Sequence, residues 1–241
     1  MAELALKTKA LDLVTFMHWV EGFRPQFPAL STLNNLVVAQ LLRPEVTRNI
    51  EGGWRMRSGR FSWTTTYFNM RKIDGQRSFR TGPETFFFVN ATQRVRGVES
   101  ELRARYRAHT FWAHYSFHDA RNLEFRPTLT TNFDGSRLRM APRNIYGIGG
   151  LIHLGPRVTW TPAVNYVGQR PLRDNIINPQ ILPSYTLVSQ AVSVDLHKRW
   201  LVNFSVTNLG NKYYIADDFS SQDAGNAGTP RRVAVQVRYR F

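Results

Sequence analysis

The last eleven residues of the chain alternate without interruption: Arg231, Val233, Val235, Val237, Tyr239 and Phe241 fall on one face, and Arg232, Ala234, Gln236, Arg238 and Arg240 on the other. Side chains of a strand point to opposite sides in turn, so this segment reads as a strand with one apolar, aromatic-ended face and one face bearing three guanidiniums. In water such a strand would expose an apolar ribbon beside a row of unpaired backbone groups. A strand in a membrane barrel has apolar residues toward lipid, polar residues toward the lumen, aromatics near the interface and no unpaired edge. The C-terminal pattern predicts the second arrangement.

Period-2 segments recur along the chain, and the links between them alternate in length. Short links fall at Arg57-Ser58-Gly59, around Arg107-Ala108-His109, at Gly155-Pro156 and at His197-Lys198-Arg199. Long polar links occupy about 21–45, 73–93, 120–142, 169–183 and 211–230. Membrane barrels join strands by short periplasmic turns at one end and long extracellular loops at the other. Ten strands follow, near 9–20, 46–56, 60–72, 94–106, 109–119, 143–154, 157–168, 184–196, 200–209 and 231–241. The faces separate cleanly where Val98, Ser100, Leu102, Ala104 and Tyr106 oppose Glu99, Glu101, Arg103 and Arg105. They separate again where Phe111, Ala113, Tyr115 and Phe117 oppose Trp112, His114, Ser116 and His118. A helical reading would mix charge into every face. Pro162 has no amide hydrogen, so a bulge or locally broken pairing is expected there. The fold class is all-β: an antiparallel transmembrane β-barrel wall of about ten strands.

Composition narrows the function classes. No run of about 18 apolar residues occurs, which excludes membrane helices but not a barrel, whose alternating strands give a weak hydropathy signal. The net charge is +15; only five of the 32 basic residues are lysine and the other 27 are arginine. Those arginines are spread through alternating strands and loops rather than gathered in a basic patch or nucleic-acid module, so no nucleic acid is expected as a partner. Arginine lining a lumen, or facing the phosphates of lipopolysaccharide, accounts for them better. Without cysteine there is neither a disulfide framework nor a thiolate metal site. Residues 1–20 do not form an export signal, so either a leader has been removed or the chain begins inside a larger protein.

Clusters that suggest chemistry have simpler readings. His114 and His118 share a face but lie about 13 Å apart along a regular strand, too far to bind one metal together. Ser116 beside them has no carboxylate on that face of the same strand to orient a histidine base. Glu99, Glu101, Arg103 and Arg105 read as a hydrated lumen face rather than an ion-pair ladder. Gly147-Ile148-Gly149-Gly150 lacks the spacing and helix of a phosphate loop, and close strand packing explains it better. Asp217, Asp218 and Asp223 match no standard calcium loop. No enzyme activity, cofactor or metal is expected.

Asn208-Leu209-Gly210-Asn211-Lys212-Tyr213-Tyr214, followed by a polar loop, Gly228-Thr229-Pro230-Arg231 and the terminal alternating strand, resembles the C-terminal end of TonB-dependent outer-membrane receptors of the siderophore type. Glu21-Gly22-Phe23-Arg24-Pro25, Arg43-Pro44-Glu45 with Glu51 and Gly53, Asn90 with Gly97-Val98-Glu99-Ser100-Glu101, and Leu138 to Pro142 resemble further signatures of that barrel in order. Gly210 departs from the family, which often has a larger apolar residue there. The resemblance implies a 22-stranded barrel filled by an N-terminal plug that meets TonB. Residues 1–241 are then expected to be the C-terminal portion of the barrel, with the plug domain absent.

The resemblance further implies a parent in the Gram-negative outer membrane that takes up a ferric siderophore or a similar bulky nutrient. Extracellular candidates for contacting such a ligand are Arg77, Arg80, Phe86, Phe87, Arg121, Arg126, Phe133 and Arg173. Tyr239 and Phe241 form the C-terminal barrel signature. The expected partners are outer-membrane lipid and lipopolysaccharide, the ligand, the TonB system through the missing plug, and the barrel-assembly machinery through the last strand. A self-contained ten-strand outer-membrane enzyme of protease or lipase type is the competing reading.

Overall fold

The computed structural model describes residues 2–8, 10–26, 29–33, 36–40, 42–81, 85–127, 130–174, 180–197, 199–218, 225–239 and 241. Of these, 29–33, 36–40, 78–81, 85–87, 197 and 217–218 are described in backbone only. Eleven strands make one antiparallel wall, each beside its neighbour in sequence: β1 (Ala2–Lys7), β2 (Asp12–Arg24), β5 (Glu45–Ser58), β6 (Phe61–Thr81), β7 (Thr85–Tyr106), β8 (His109–Glu124), β9 (Asn144–His153), β10 (Val158–Val167), β13 (Tyr185–His197), β14 (Trp200–Thr207) and β17 (Arg232–Tyr239). The links hold three small hairpins: β3 (Ala29–Leu33) with β4 (Leu36–Gln40), β11 (Arg170–Pro171) with β12 (Ile181–Leu182), and β15 (Ile215–Asp218) with β16 (Gly225–Ala227). Among the described residues β1 pairs only with β2 and β17 only with β14, so the wall is open at both margins. A self-contained closed barrel requires those two strands to meet.

All ten expected strands are present, with three corrections. The wall has an eleventh strand, β1, which the reading of 9–20 as the first strand missed; Thr8 to Leu11 forms the turn between β1 and β2, with the Thr8 amide and hydroxyl both donating to the Leu11 carbonyl. The link at 73–93 is mostly strand. β6 is 21 residues long and β7 is 22, paired through Thr81 and Thr85 with one irregularity at Lys72/Gly75, where Asp74 takes φ 53°. Likewise β2 runs on to Arg24, and β3–β4 occupies part of the 21–45 link. Above the membrane both faces of a strand are wet, so no alternation is needed and none is written into the sequence.

At Pro162 the β9–β10 ladder is interrupted between Trp160↔Ile152 and Ala163↔Gly149, while the β13 side continues through Pro162↔Gln190. The missing amide breaks the pairing on one side and leaves the register intact.

The packing is inside out relative to a soluble protein. Few apolar residues are buried among those described, chiefly Phe16, Ala91, Ala120, Phe125, Leu172 and Val206. Large apolar side chains are exposed instead, and the register puts them on a single face. Met17, Tyr67, Val98 and Phe117 lie on one paired row. Trp63, Leu102, Ala113, Ile148, Val164 and Val188 lie on another, and Val233, Val235 and Val237 continue the face on β17. Ile148 is 62% exposed and Val235 63%. A continuous apolar face of this extent fits lipid, not water. The opposite face carries Arg55, Arg57, Thr64, Thr66, Glu99, Glu101, Arg103, His114, Asn165, Ser193, Asn203 and Gln236.

Gly97 shows how the lumen face closes. It pairs between Phe68 and His118, whose rings meet edge-on at 5.6 Å. A Cβ on Gly97 would lie 1.9 Å from the Phe117 carbonyl oxygen and 2.9 Å from the Phe68 ring. Gly149 is covered in the same way by the Trp112 ring, so the glycine run at 147–150 serves close packing.

The short turns step downward along the wall. Following the register from Phe61 through Ala104, Phe111 and Gly150, across the interrupted stretch of the β9–β10 ladder to Pro162, and on through Gln190 to Val206 crosses six strand-to-strand steps. The β5–β6 turn lies at the start of that row, whereas the β13–β14 turn begins at Trp200, six residues below Val206. One residue of about 3.3 Å per interstrand step of about 4.8 Å is a strand tilt of roughly 35°, the value membrane barrels adopt.

Candidate ligand-binding loop cluster

The long links gather at one end of the wall and hold one another through buried polar side chains. After β8 the chain doubles back: Phe133 N donates to Phe125 O at 2.9 Å, Gly135 N to Asn122 O at 2.8 Å, and Asn122 N to Ser136 O at 2.9 Å. Asn122 is fully buried, bonds the Ser136 hydroxyl at 2.8 Å and accepts from Gln93 on β7 at 3.1 Å. Phe125 and Phe133 pack with ring centroids 5.3 Å apart. Asp134 caps this fold by accepting from Phe125 N at 2.7 Å and Arg126 Nε at 2.6 Å. Burial alone would raise the Asp134 pKa, but those two bonds and the Arg126 charge outweigh it and hold the carboxyl below its ordinary value.

Arg77, on the tall part of β6, joins two links. Its guanidinium stacks over Phe125 at 5.2 Å and pairs with Asp174, whose other oxygen accepts from Arg139 N at 2.9 Å. Met140 N donates to Pro171 O at 2.7 Å, which fixes the 125–143 and 168–184 links together. Arg170, 3% exposed, lies over the Tyr185 ring at 5.1 Å and donates to the Ile215 carbonyl; Tyr185 stacks on Tyr214 at 4.4 Å.

The NLGNKYY segment, Asn208 to Tyr214, anchors the last link. Asn208, 3% exposed with φ 49°, donates to Lys212 O and Thr229 O at 2.9 and 3.0 Å and accepts from Lys212 N at 2.8 Å. Asn211 Oδ1 accepts from Arg231 N at 2.9 Å, which sets the entry to β17. A Cβ on Gly210 would meet nothing within 4 Å, so the departure from the family pattern leaves the turn unchanged. Asn90 bonds Arg43 N, Arg43 O and Asp74 O, uniting two more of the quoted signatures, and Lys72 Nζ sits 2.9 Å from the buried Glu45.

The eight loop candidates divide by position. Arg77 and Phe133 lie inside the cluster, while Arg126 and Arg173 are exposed on it. Arg121 faces outward on β8, in register with Arg94, and bonds Asp119 at 2.8 Å. Arg80, Phe86 and Phe87 sit on the paired tips of β6 and β7, and their side chains lie outside the described residues. So do Asp223 and the side chains of Asp217 and Asp218. Sequence reading missed Asp174, Arg139, Arg170, Tyr185 and Tyr214, because the residues that meet come from different links and strands and no local spacing joins them.

At the other end, Tyr239 packs on Trp200 at 4.7 Å, meets Phe241 edge-on at 5.0 Å and accepts from Arg199 at 3.2 Å. On the lumen face Arg103 Nε bonds Glu101 at 2.7 Å, both side chains exposed, and His118 Nε2 lies 3.4 Å from Glu99. A groove of about 520 Å³ opens there beside Arg55, Arg57, Arg103 and Arg105.

A tilted antiparallel wall that is apolar outside, polar inside, short-turned at one end and long-looped at the other is part of an outer-membrane-type β-barrel. The family model for the TonB dependent receptor-like beta-barrel matches residues 10–209, and the chain belongs to that family. No curated protein sequence matches it. Among solved structures it is similar to the ferric yersiniabactin uptake receptor FyuA from Yersinia pestis, at 18% identity and TM-score 0.73 over 99% of this chain and 37% of that one. It is also similar to BauA, the ferric preacinetobactin receptor from Acinetobacter baumannii, at 20% identity and TM-score 0.73, covering 98% and 35%. The ferric-catecholate import receptor Fiu from E. coli K12 matches at 14% identity and TM-score 0.72, covering 97% and 33%. The chain thus spans about a third of the length of these receptors. Its family is one of outer-membrane transport receptors of Gram-negative bacteria, not of enzymes.

Proposed function

We propose that this chain is the C-terminal portion of the barrel of a TonB-dependent transport receptor in the outer membrane. The receptor takes up a ferric siderophore or a similar bulky anionic chelate. The observation that carries this reading is the eleven-strand wall with one lipid-suited face and one polar face, open at β1 and β17, where further strands would complete the barrel. Captured ligand would rest against exposed cationic and aromatic groups of the loop cluster, with Arg126 and Arg173 the leading contacts and Phe133 beside them. Arg77 would keep the links in position, and Arg80, Phe86 and Phe87 would stand at the tip above them. Passage through the lumen would need a plug and energy from TonB, neither of which these residues supply. The aromatic end of β17, Tyr239 and Phe241, would be what the barrel-assembly machinery engages.

The test is to titrate ferric siderophores of catecholate and hydroxamate type into the folded chain in detergent, with Arg126→Ala/Arg173→Ala beside it. Binding that weakens at least tenfold in the double variant supports the site, since the loss of even one charge-assisted contact of roughly 1.5 kcal/mol is a factor of about ten. Equal binding by both proteins overturns it.

A further inference from the structure

The lumen face changes character along the wall. Near the short turns, register places Arg55, Thr64, Glu101 and His114 on one row across β5 to β8, and Arg57, Ser62, Arg103 and Trp112 on the next row down. Below them Arg105 pairs with Thr110 and its amide donates to the Arg60 carbonyl at 2.8 Å. Followed onward across β9, β10 and β13, the first row becomes Gly147, Asn165 and Leu187 and the second Gly149, Ala163 and Ser189, none of them charged. The charge is therefore local, which a general need to wet the lumen does not explain.

Two adjoining hollows of about 520 and 500 Å³ lie over these rows and share Glu101, Arg103 and Thr110, so they make one groove. One end is cationic, with Arg55, Arg57, Arg60, Arg103 and Arg105 against a single carboxylate, Glu101. Arg103 Nε bonds that carboxylate at 2.7 Å, and Arg55 lies over the Phe16 ring at 4.7 Å. Arg57, Arg60 and Arg105 are exposed and have no ion-pair partner among the described residues; Asp12, opposite Arg57 on β2, makes no ion pair with it. Like charges this close on a sheet repel, and an anion in the groove would relieve them.

The other end is aromatic. Trp112 and His114 project from the same face of β8, and each ring covers a glycine of β9: a Cβ on Gly149 would run into the Trp112 ring and one on Gly147 into the His114 ring. The glycines let both rings settle against the wall, where they line the groove. Of the six tryptophans, Trp112 alone is on the polar face; Trp19, Trp54, Trp63, Trp160 and Trp200 fall on the apolar one.

We propose that this groove binds a small aromatic oxyanion of the benzoate type, with its ring on Trp112 and its carboxylate between Arg103 and Arg105. Arg103 stands beside Trp112 in register, and Arg105 is one face position below it on the same strand. Guanidinium forks match carboxylate oxygens, ring faces favour offset stacking, and a hollow of roughly 300–1,000 Å³ suits a compound of this kind. The exposed Arg103 pair with Glu101 contributes little, so Arg103 is free to exchange one carboxylate for another. The groove stands at the short-turn end, away from the loop cluster, and gives the lumen a second station for an aromatic anion. The inference rests on the barrel reading above, because it needs this face to meet water.

The test is an NMR titration of the indole N–H signals of the full chain, isotope-labelled and folded in a zwitterionic detergent, with Trp112→Phe assigning the Trp112 signal by its loss. Salicylate is the probe; benzyl alcohol supplies a ring without charge, acetate a charge without a ring, and a hexaglutamate peptide a protein-like anion. Salicylate is expected to shift the Trp112 signal and to bind about tenfold tighter than benzyl alcohol or acetate. Its affinity should fall about tenfold in Arg103→Gln/Arg105→Gln and less than about twofold in Arg126→Ala/Arg173→Ala. Equal binding by wild type and the Arg103/Arg105 variant overturns the inference, as does acetate binding as tightly as salicylate. Hexaglutamate binding more tightly than salicylate makes the groove a docking surface for protein and overturns it too. A spin-labelled detergent reads the barrel assignment separately, and reads folding in the variants: it should broaden the other indole signals and spare that of Trp112. If that pattern holds and salicylate leaves Trp112 unmoved, the groove fails alone; if Trp112 is broadened with the rest, both readings fail.

Discussion

The wall has a tall half and a short half, and they reach the space above the membrane by different means. Strands β5 to β8 are 14, 21, 22 and 16 residues long and carry their own hydrogen-bond ladder past the apolar band. Strands β9, β10, β13, β14 and β17 have 10, 10, 13, 8 and 8 residues, near the length a tilted strand needs to cross. Above them the links are held by side chains: Asn208, Arg170, Asp174 and Asp134. A ladder satisfies backbone groups with other backbone groups and tolerates many residue types. A link pinned by one buried amide does not.

The largest test of that contrast is Asn208→Ala. It removes three hydrogen bonds, leaves buried backbone groups unpaired and keeps a positive φ that alanine disfavours, for a loss of about 3–5 kcal/mol. Urea unfolding of the detergent-folded chain measures it, and a loss below about 1 kcal/mol would mean that the pin is dispensable.

A smaller effect, in the tall half, comes from a steric change rather than a lost bond. Gly97→Val forces a side chain into the Phe117 carbonyl and Phe68 ring and should destabilise by roughly 2–4 kcal/mol, whereas Gly210→Leu, entering open space, should stay within about 0.5 kcal/mol. If the two glycines respond alike in the same unfolding assay, the packing account fails.

Next comes pH. The Asp134 pKa is lowered in the folded state, so its contribution is complete above the ordinary carboxylate value of about 3.9 and is lost as pH falls through the lower folded value. Exchange protection of the Phe125 amide should hold from pH 7 to about 4 and decay below that. Decay already complete by about pH 5 contradicts the sign.

The smallest effect is expected at Arg103→Gln on the lumen face. Its pair with Glu101 is exposed on both sides and contributes about 0–0.5 kcal/mol, within the scatter of replicate melts. A shift above about 1 kcal/mol would mean that the lumen wall is a linked charge network.

How much of this was legible follows from which solvent each face meets. Ten strands could be read because lipid on one side and water on the other impose alternation, as in Val233, Val235 and Val237 against Arg232, Ala234 and Gln236. Where water wets both faces, that constraint disappears, so 73–81 and 85–93 read as parts of a loop and are strand. β1, six residues with modest alternation, was too short to stand out. The loop cluster was least legible: Arg77, Asp174 and Arg139 are far apart in sequence and meet only because two links fold together against the top of β6.

The two unpaired margins set a condition on assembly. Along β1 and β17 many amides and carbonyls point sideways, and hydrocarbon offers them neither donors nor acceptors. Membrane entry must therefore be timed to partner recruitment: whatever strands complete the perimeter have to arrive before, or together with, the lipid. Until then, every copy of this chain is an adhesive for other copies.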